Sequence, residues 1–329
     1  MRRDVHPYAL GATLYMPVTH PNALDVALGR RAPGLRSLVL CLEDALSESD
    51  VPEGLLRLRA IAAGLLAVER DPVRTPLVFL RPRNRDMAAE LGQLPEVAAA
   101  FDGFVCPKVR PGRVAAWTST VAGTPLRLMP TLETAEILDP FAVRELRDEL
   151  VCEAGDGRVL ALRVGGNDLL ACIGLRRRRG SLLYDGPLGG VVATLVNLMV
   201  PAGFRLTAPV YEILDDPATL ARELAQDVAW GFVGKTVIHP SQIETIHAAL
   251  RVTGSDIDAA QRILAPGAAA VFKHDGAMCE PATHRAWATS ILERARYHGL
   301  VEPDSRAAQD APAEPRPAMP VAPALAATV

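Results

Sequence analysis

Gly11-Ala12-Thr13-Leu14-Tyr15-Met16 runs straight into Pro17-Val18-Thr19-His20, a turn that contains no glycine. A short apolar run with a bulky aromatic reads as a buried strand. An open, doubly wound sheet carries a glycine-rich phosphate-binding turn after its first strand, and this turn is not one. Further strand-like runs follow at 36–42 (RSLVLCL), 76–81 (PLVFLR), 103–107, 126–132, 158–165, 204–209 and 232–238. Helix-like segments near 20–30, 53–69, 87–100, 111–121, 134–150, 187–202 and 214–230 separate them. That alternation implies βα units around a parallel sheet, and near-continuous apolar strands fit burial on both faces. Eight units in about 240 residues match the size of a TIM barrel. The sequence therefore predicts an α/β fold, a (β/α)8 TIM barrel over residues 1–251. A C-terminal helical extension is expected at 252–300, with helices near 255–268 and 281–298 and a connector between them. Residues 301–329 are Ala/Pro-rich, a composition that buries too little to fold, and are expected to form a disordered tail.

Composition narrows the function classes. A hydrophobic share of 49% against 22% charged residues fits a packed domain. The formal net charge of −3 gives no electrostatic basis for binding nucleic acid or an anionic membrane. The five cysteines form no CxxC pair and no disulfide framework, as expected in a reducing compartment. The first residues carry Arg2 and Arg3 without an apolar stretch behind them, so no signal peptide is expected. No apolar run approaches the roughly 18 residues of a membrane span. A cytoplasmic protein is the expectation.

A parallel barrel builds its active site at the C-terminal ends of its strands. The polar residues at those ends are Glu43 and Asp44, Arg81, Lys108, Glu133, Asn167 and Asp168, and Lys235 and His239 around the eighth strand. Glu133 and Asp168 suit a hard cation such as Mg²⁺, which takes one or two protein carboxylates and leaves its other positions to water and substrate. Both also read as helix caps, a common role at such positions. Arg81 continues a buried strand, where a guanidinium grips a carboxylate or supports enolate charge; a surface salt bridge is its other reading. Glu43 and Asp44 close an apolar strand and suit proton transfer or the ordering of water. Gly165-Gly166 lets backbone pack closely on a ligand or simply makes a turn. The run Arg176-Arg177-Arg178-Arg179 reads as a phosphate site or, more commonly, as a solvated loop.

In order, LYMPVTHPNAL (14–24), VLCLEDAL (39–46), FLRPRN (79–84), GFVCPKV (103–109), LMPTLETAEIL (128–138), VGGNDLLACIG (164–174) and GFVGKTVIHPSQI (231–243) span about 230 residues. This set resembles the HpcH/HpaI aldolase and citrate lyase β-subunit family, and within it the C–C bond lyase-like branch found with tellurite-resistance gene clusters. The resemblance implies Mg²⁺, or Mn²⁺, on Glu133 and Asp168, and substrate contact by Arg81. It also implies a C-terminal segment acting on a neighbouring subunit, hence a homo-oligomer, a trimer or a multiple of it. The family's trans-acting Asp falls on Glu280, and its second-strand motif starts with Cys41 in place of Asp while keeping Glu43 and Asp44. The implied activity is a Mg-dependent carbon–carbon lyase or aldolase working through an enolate of a 2-oxo acid or related carboxylate. The alternatives are a citryl-CoA or malyl-CoA type thioester lyase or hydrolase, and a non-catalytic metabolite- or partner-binding barrel.

Overall fold

The computed structural model describes residues 5–71, 74–153 and 157–301. The expected tail lies, from residue 302 onward, outside them. Eight parallel strands follow one another in chain order: β1 (Gly11–Pro17), β2 (Ser37–Cys41), β3 (Leu77–Arg81), β4 (Gly103–Cys106), β5 (Arg127–Leu132), β6 (Leu162–Val164), β7 (Leu206–Thr207) and β8 (Gly234–Val237). Their spatial order is β7-β6-β5-β4-β3-β2-β1-β8, and a parallel bridge from Ala208 to Lys235 closes the ring between β7 and β8. The expected TIM barrel is the observed fold.

Around the barrel lie α1 (Ala23–Ala27), α2 (Val51–Leu66), α3 (Arg85–Gly92), α4 (Pro95–Ala100), α5 (Val114–Thr118) and α6 (Pro140–Glu153). They continue as α7 (Gly166–Cys172), α8 (Leu188–Met199), α9 (Pro217–Ala229) and α10 (Ile243–Leu250), followed by α11 (Gly254–Leu264) and α12 (Pro281–His298). No helix among the described residues is long and apolar enough to cross a membrane.

Side chains along each strand alternate between two cores, as a period of two demands. Leu38 and Leu40 join the large outer cluster under the helices, whereas Val39 joins Leu10, Phe79, Val105 and Met129 in a smaller cluster inside the barrel. Tyr15 packs against that inner cluster. Parity therefore decides which strand residues face the interior, and it sends Arg81, Glu133 and Arg163 there.

Local chemistry shortened several expected elements. The helix expected over 87–100 is two helices, because Leu94 is extended before Pro95. Strand 158–165 pairs regularly only over Leu162–Val164, with one isolated bridge at Val159. Strand 204–209 keeps two residues; Pro209, which has no N–H to donate, follows just beyond them. The connector between the last two helices contains a hairpin, β9 (Phe272–His274) with β10 (Ala277–Cys279). That hairpin, α11 and α12 share a small core of Val252, Ala260, Ile263, Cys279, Ala288 and Ile291. A groove of about 720 Å³ lies on the outer surface along α5 and α6, lined by Phe141, Arg144, Glu149 and Cys152 among others. None of its lining residues belongs to the strand-end group described next.

Candidate active site

Three strand ends bring Glu43, Arg81 and Glu133 together. Arg81 Nη2 lies 2.8 Å from Glu43 Oε2 and 3.2 Å from Glu133 Oε1, with Asp44 Oδ2 at 3.6 Å. Glu43 and Glu133 are buried, Asp44 is exposed, and the Arg81 side chain is largely enclosed. Lys108, just beyond β4, completes the group. Its Nζ donates to Glu43 Oε1 at 2.7 Å and to Asp44 Oδ1 at 3.4 Å, while its backbone N–H donates to Glu133 Oε1 at 2.9 Å. To aim both groups inward Lys108 adopts φ 53°, a left-handed conformation that costs a non-glycine residue roughly 1–2 kcal/mol.

These contacts settle how Glu133 sits. Its Oε1 accepts from residues of other strands and does not cap the turn that follows it. Oε2 faces Gly165, where a Cβ would come within 2.6 Å of it and within 2.3 Å of Glu133 Cβ. The glycine is therefore required for close approach, not for turn geometry, since its φ is −89°. Asp168 stands in the first turn of α7, partly buried, and makes no capping hydrogen bond. It lies near enough to Glu133 for the two negative charges to repel.

Burial pushes the Glu133 carboxyl up to about 7; Arg81 opposes this and Asp168 adds to it. Desolvation also raises Glu43, against the pull of Arg81 and Lys108. Burial alone would lower Arg81, but Glu133, Tyr15 and Glu43 hold its guanidinium above the ordinary value. Its Nε is a buried donor with no partner among the described residues.

Whether a divalent cation suits this group can be judged from the donor set. Glu133 and Asp168 are hard oxygen donors whose charges repel, and a cation between them would relieve that repulsion. Among the described residues no three His, Cys, Asp or Glu side chains converge as a complete metal cage. A pair that leaves positions for water and substrate is what Mg²⁺ commonly uses. The residues fit.

Other sequence candidates go elsewhere. Lys235 pairs in register with Ala12, and its Nζ meets Glu223 at 3.0 Å and Asp227 at 2.9 Å, both on α9. It is an outward-facing buried ion pair, not a mouth residue. Arg177 is equally committed, binding Glu212, Glu223 and the carbonyl of Val210 under the β7–α9 connection. The arginine run is thus split, with Arg177 buried, Arg179 paired with Asp215, and Arg176 and Arg178 exposed. His239 caps a short 3-10 turn through Ser241 N. Glu280 occupies the N-cap position of α12, where its contacts are with Thr283 and His284 and not with the strand-end group. Two residues had no place in the sequence expectation, Tyr15 and Arg163, which form the floor below Arg81 and Glu133.

A family model described as C–C bond lyase of the TIM-barrel fold matches residues 4–300. A curated relative, the (3S)-malyl-CoA thioesterase of Cereibacter sphaeroides (strain ATCC 17029), is 28% identical over 271 residues, covering 80% of this chain and 85% of the relative. Among solved structures, CitE from Mycobacterium tuberculosis in complex with magnesium, acetoacetate and coenzyme A shares 24% identity at a TM-score of 0.59. That match covers 88% of this chain and 99% of the other. RipC from Yersinia pestis shares 21% identity at a TM-score of 0.56, over 76% of this chain and 99% of that one. At such identities the solved structures support the barrel, while the family match spans nearly every described residue. The chain belongs to the C–C bond lyases of the TIM-barrel fold, and is a lyase-type enzyme.

Proposed function

We propose that this enzyme is a divalent-metal-dependent carbon–carbon lyase or aldolase acting on a 2-oxo acid or related carboxylate through its enolate. The observation that carries the reading is the buried Glu133 carboxylate, set beside Asp168 and 3.2 Å from Arg81 Nη2. Glu133 and Asp168 would hold Mg²⁺, with Mn²⁺ as a substitute. The bound ion would supply Lewis-acid stabilisation of developing enolate charge.

The chain's own residues do the rest. Arg81 orients the substrate carboxylate with its guanidinium and opposes the burial that pushes the Glu133 carboxyl up. Glu43, held by Arg81 and Lys108, and the exposed Asp44 are the groups placed to move a proton at the mouth. Glu280 acts from a neighbouring copy, carried by the 252–300 extension, in a homo-oligomer built as a trimer or a multiple of it. A second reading, hydrolysis or cleavage of a CoA thioester, is favoured by the name of the malyl-CoA thioesterase relatives and by the coenzyme A in the CitE complex.

Mn²⁺ uptake followed by electron paramagnetic resonance tests the metal pair. Wild type is expected to bind the ion, and Glu133→Gln and Asp168→Asn to lose affinity by at least about tenfold. Equal affinity in all three would sink the assignment. Thiol release without C–C cleavage from a malyl-type thioester would select the second reading.

A further inference from the structure

Arg163 lies in the middle of β6 with its side chain inside the barrel and only 1% of the residue exposed. Nη1 reaches Thr13 Oγ1 at 3.4 Å and Nη2 donates to Thr236 Oγ1 at 2.5 Å. Its Cζ stands 5.2 Å from the centre of the Tyr15 ring, and its Nε has no partner among the described residues. Three Lys or Arg side chains are buried among the described residues: Arg163, Arg177 and Lys235. Arg177 has Glu212 and Glu223, and Lys235 has Glu223 and Asp227. Arg163 alone has no carboxylate in an ion pair.

Burying a charge without a counter-ion is costly, and an apolar replacement of similar volume is often neutral or stabilising. Hydroxyls and an aromatic face satisfy this guanidinium only in part. Its location suggests what it acts on. Arg163 is paired in register with Thr131, and Glu133 lies two residues further along that strand, about 7 Å toward the mouth. Arg81 and Glu133 both influence it electrostatically.

The charges above it explain the consequence. When ionised, Glu43, Asp44, Glu133 and Asp168 contribute four negative charges, against two positive ones on Arg81 and Lys108. A divalent cation would bring the mouth to neutrality. Arg163 adds one positive charge from below, matched to a ligand with a carboxylate. We propose that Arg163 is an electrostatic positioning residue, whose buried charge raises the affinity of the site for carboxylate ligands and lowers it for the free cation. This rests on the metal site proposed above.

Arg163→Met and Arg163→Gln remove the charge; Arg163→Lys keeps it. Two affinities are measured for each folded variant: Mn²⁺ alone, and oxalate, a planar dicarboxylate probe, for the Mn²⁺-loaded protein. Removing the charge is expected to tighten Mn²⁺ binding and weaken oxalate binding, each by about tenfold. Arg163→Lys should leave both within about threefold of wild type. The thermal midpoint of Arg163→Met should be unchanged or higher. A residue that merely packs would weaken both affinities together, and that result, or no change in either, would overturn the proposal. Should Arg163→Met not fold, Arg163→Gln carries the same two expectations. Mn²⁺ binding by wild type that ignores Glu133→Gln would instead refute the metal site itself.

Discussion

Glu133 shows how a single carboxylate is held by groups from three parts of the chain. Arg81 and the Lys108 amide fix Oε1, Asp168 presses on it electrostatically, and Gly165 leaves room for Oε2. Gly165→Ala therefore forces Glu133 aside without altering any charged group. Mn²⁺ affinity is expected to fall at least about tenfold, with a stability loss of roughly 1–3 kcal/mol from overpacking. Unchanged Mn²⁺ affinity in a folded Gly165→Ala protein would show that Oε2 is not positioned by this contact. Glu133, Asp168 and Arg81 were legible in the sequence because a barrel places polar strand-end residues at one mouth. The role of Lys108 was not, since a lysine with positive φ leaves no mark in its neighbours. Arg163 was visible only as a charge inside the apolar run LALRV, and its meaning needed the strand parity.

At the scale of elements, α12 is seated on the barrel through α10, α11 and the 3-10 turn Pro7–Ala9, with two buried histidines near the junction. His247 Nε2 accepts the Ala12 N–H at 3.0 Å, so the ring must be neutral there. Burial, reinforced by Arg36, lowers His247 to about 4 and His298 to about 3. Both values lie below the ordinary 6.5, so the unfolded chain takes up protons before the folded one. Stability is therefore full above pH 6.5 and is lost as pH falls toward 4 and below. A urea-denaturation series should show that decline, and His298→Phe should reduce its slope. An identical slope in the variant would mean that His298 is not the group titrating. The sequence carried the order of the elements but misjudged several ends. Pro95 and the short β6 and β7 show why: hydrophobic pattern marks a strand or helix, whereas its limits depend on which N–H groups find partners.

For the whole molecule, eight βα units gave the barrel away, and the missing glycine after β1 removed the open-sheet alternative. The hairpin at 272–279 was hidden because its strands are three residues each and bury little. How copies of the chain assemble is a property of surfaces, which a strand-and-helix pattern does not encode. Enolate chemistry at the Glu133–Asp168 pair is the step on which the proposed function depends. Incubation with Mg²⁺ and pyruvate, oxaloacetate or an acyl thioester in D₂O, followed by NMR, tests it most directly. Deuterium should enter the carbon next to the carbonyl of at least one of these, in wild type with metal and not in Glu133→Ala, Asp168→Ala or metal-free protein. Exchange that persists without metal or without both carboxylates, or no exchange into any of them, would contradict the account.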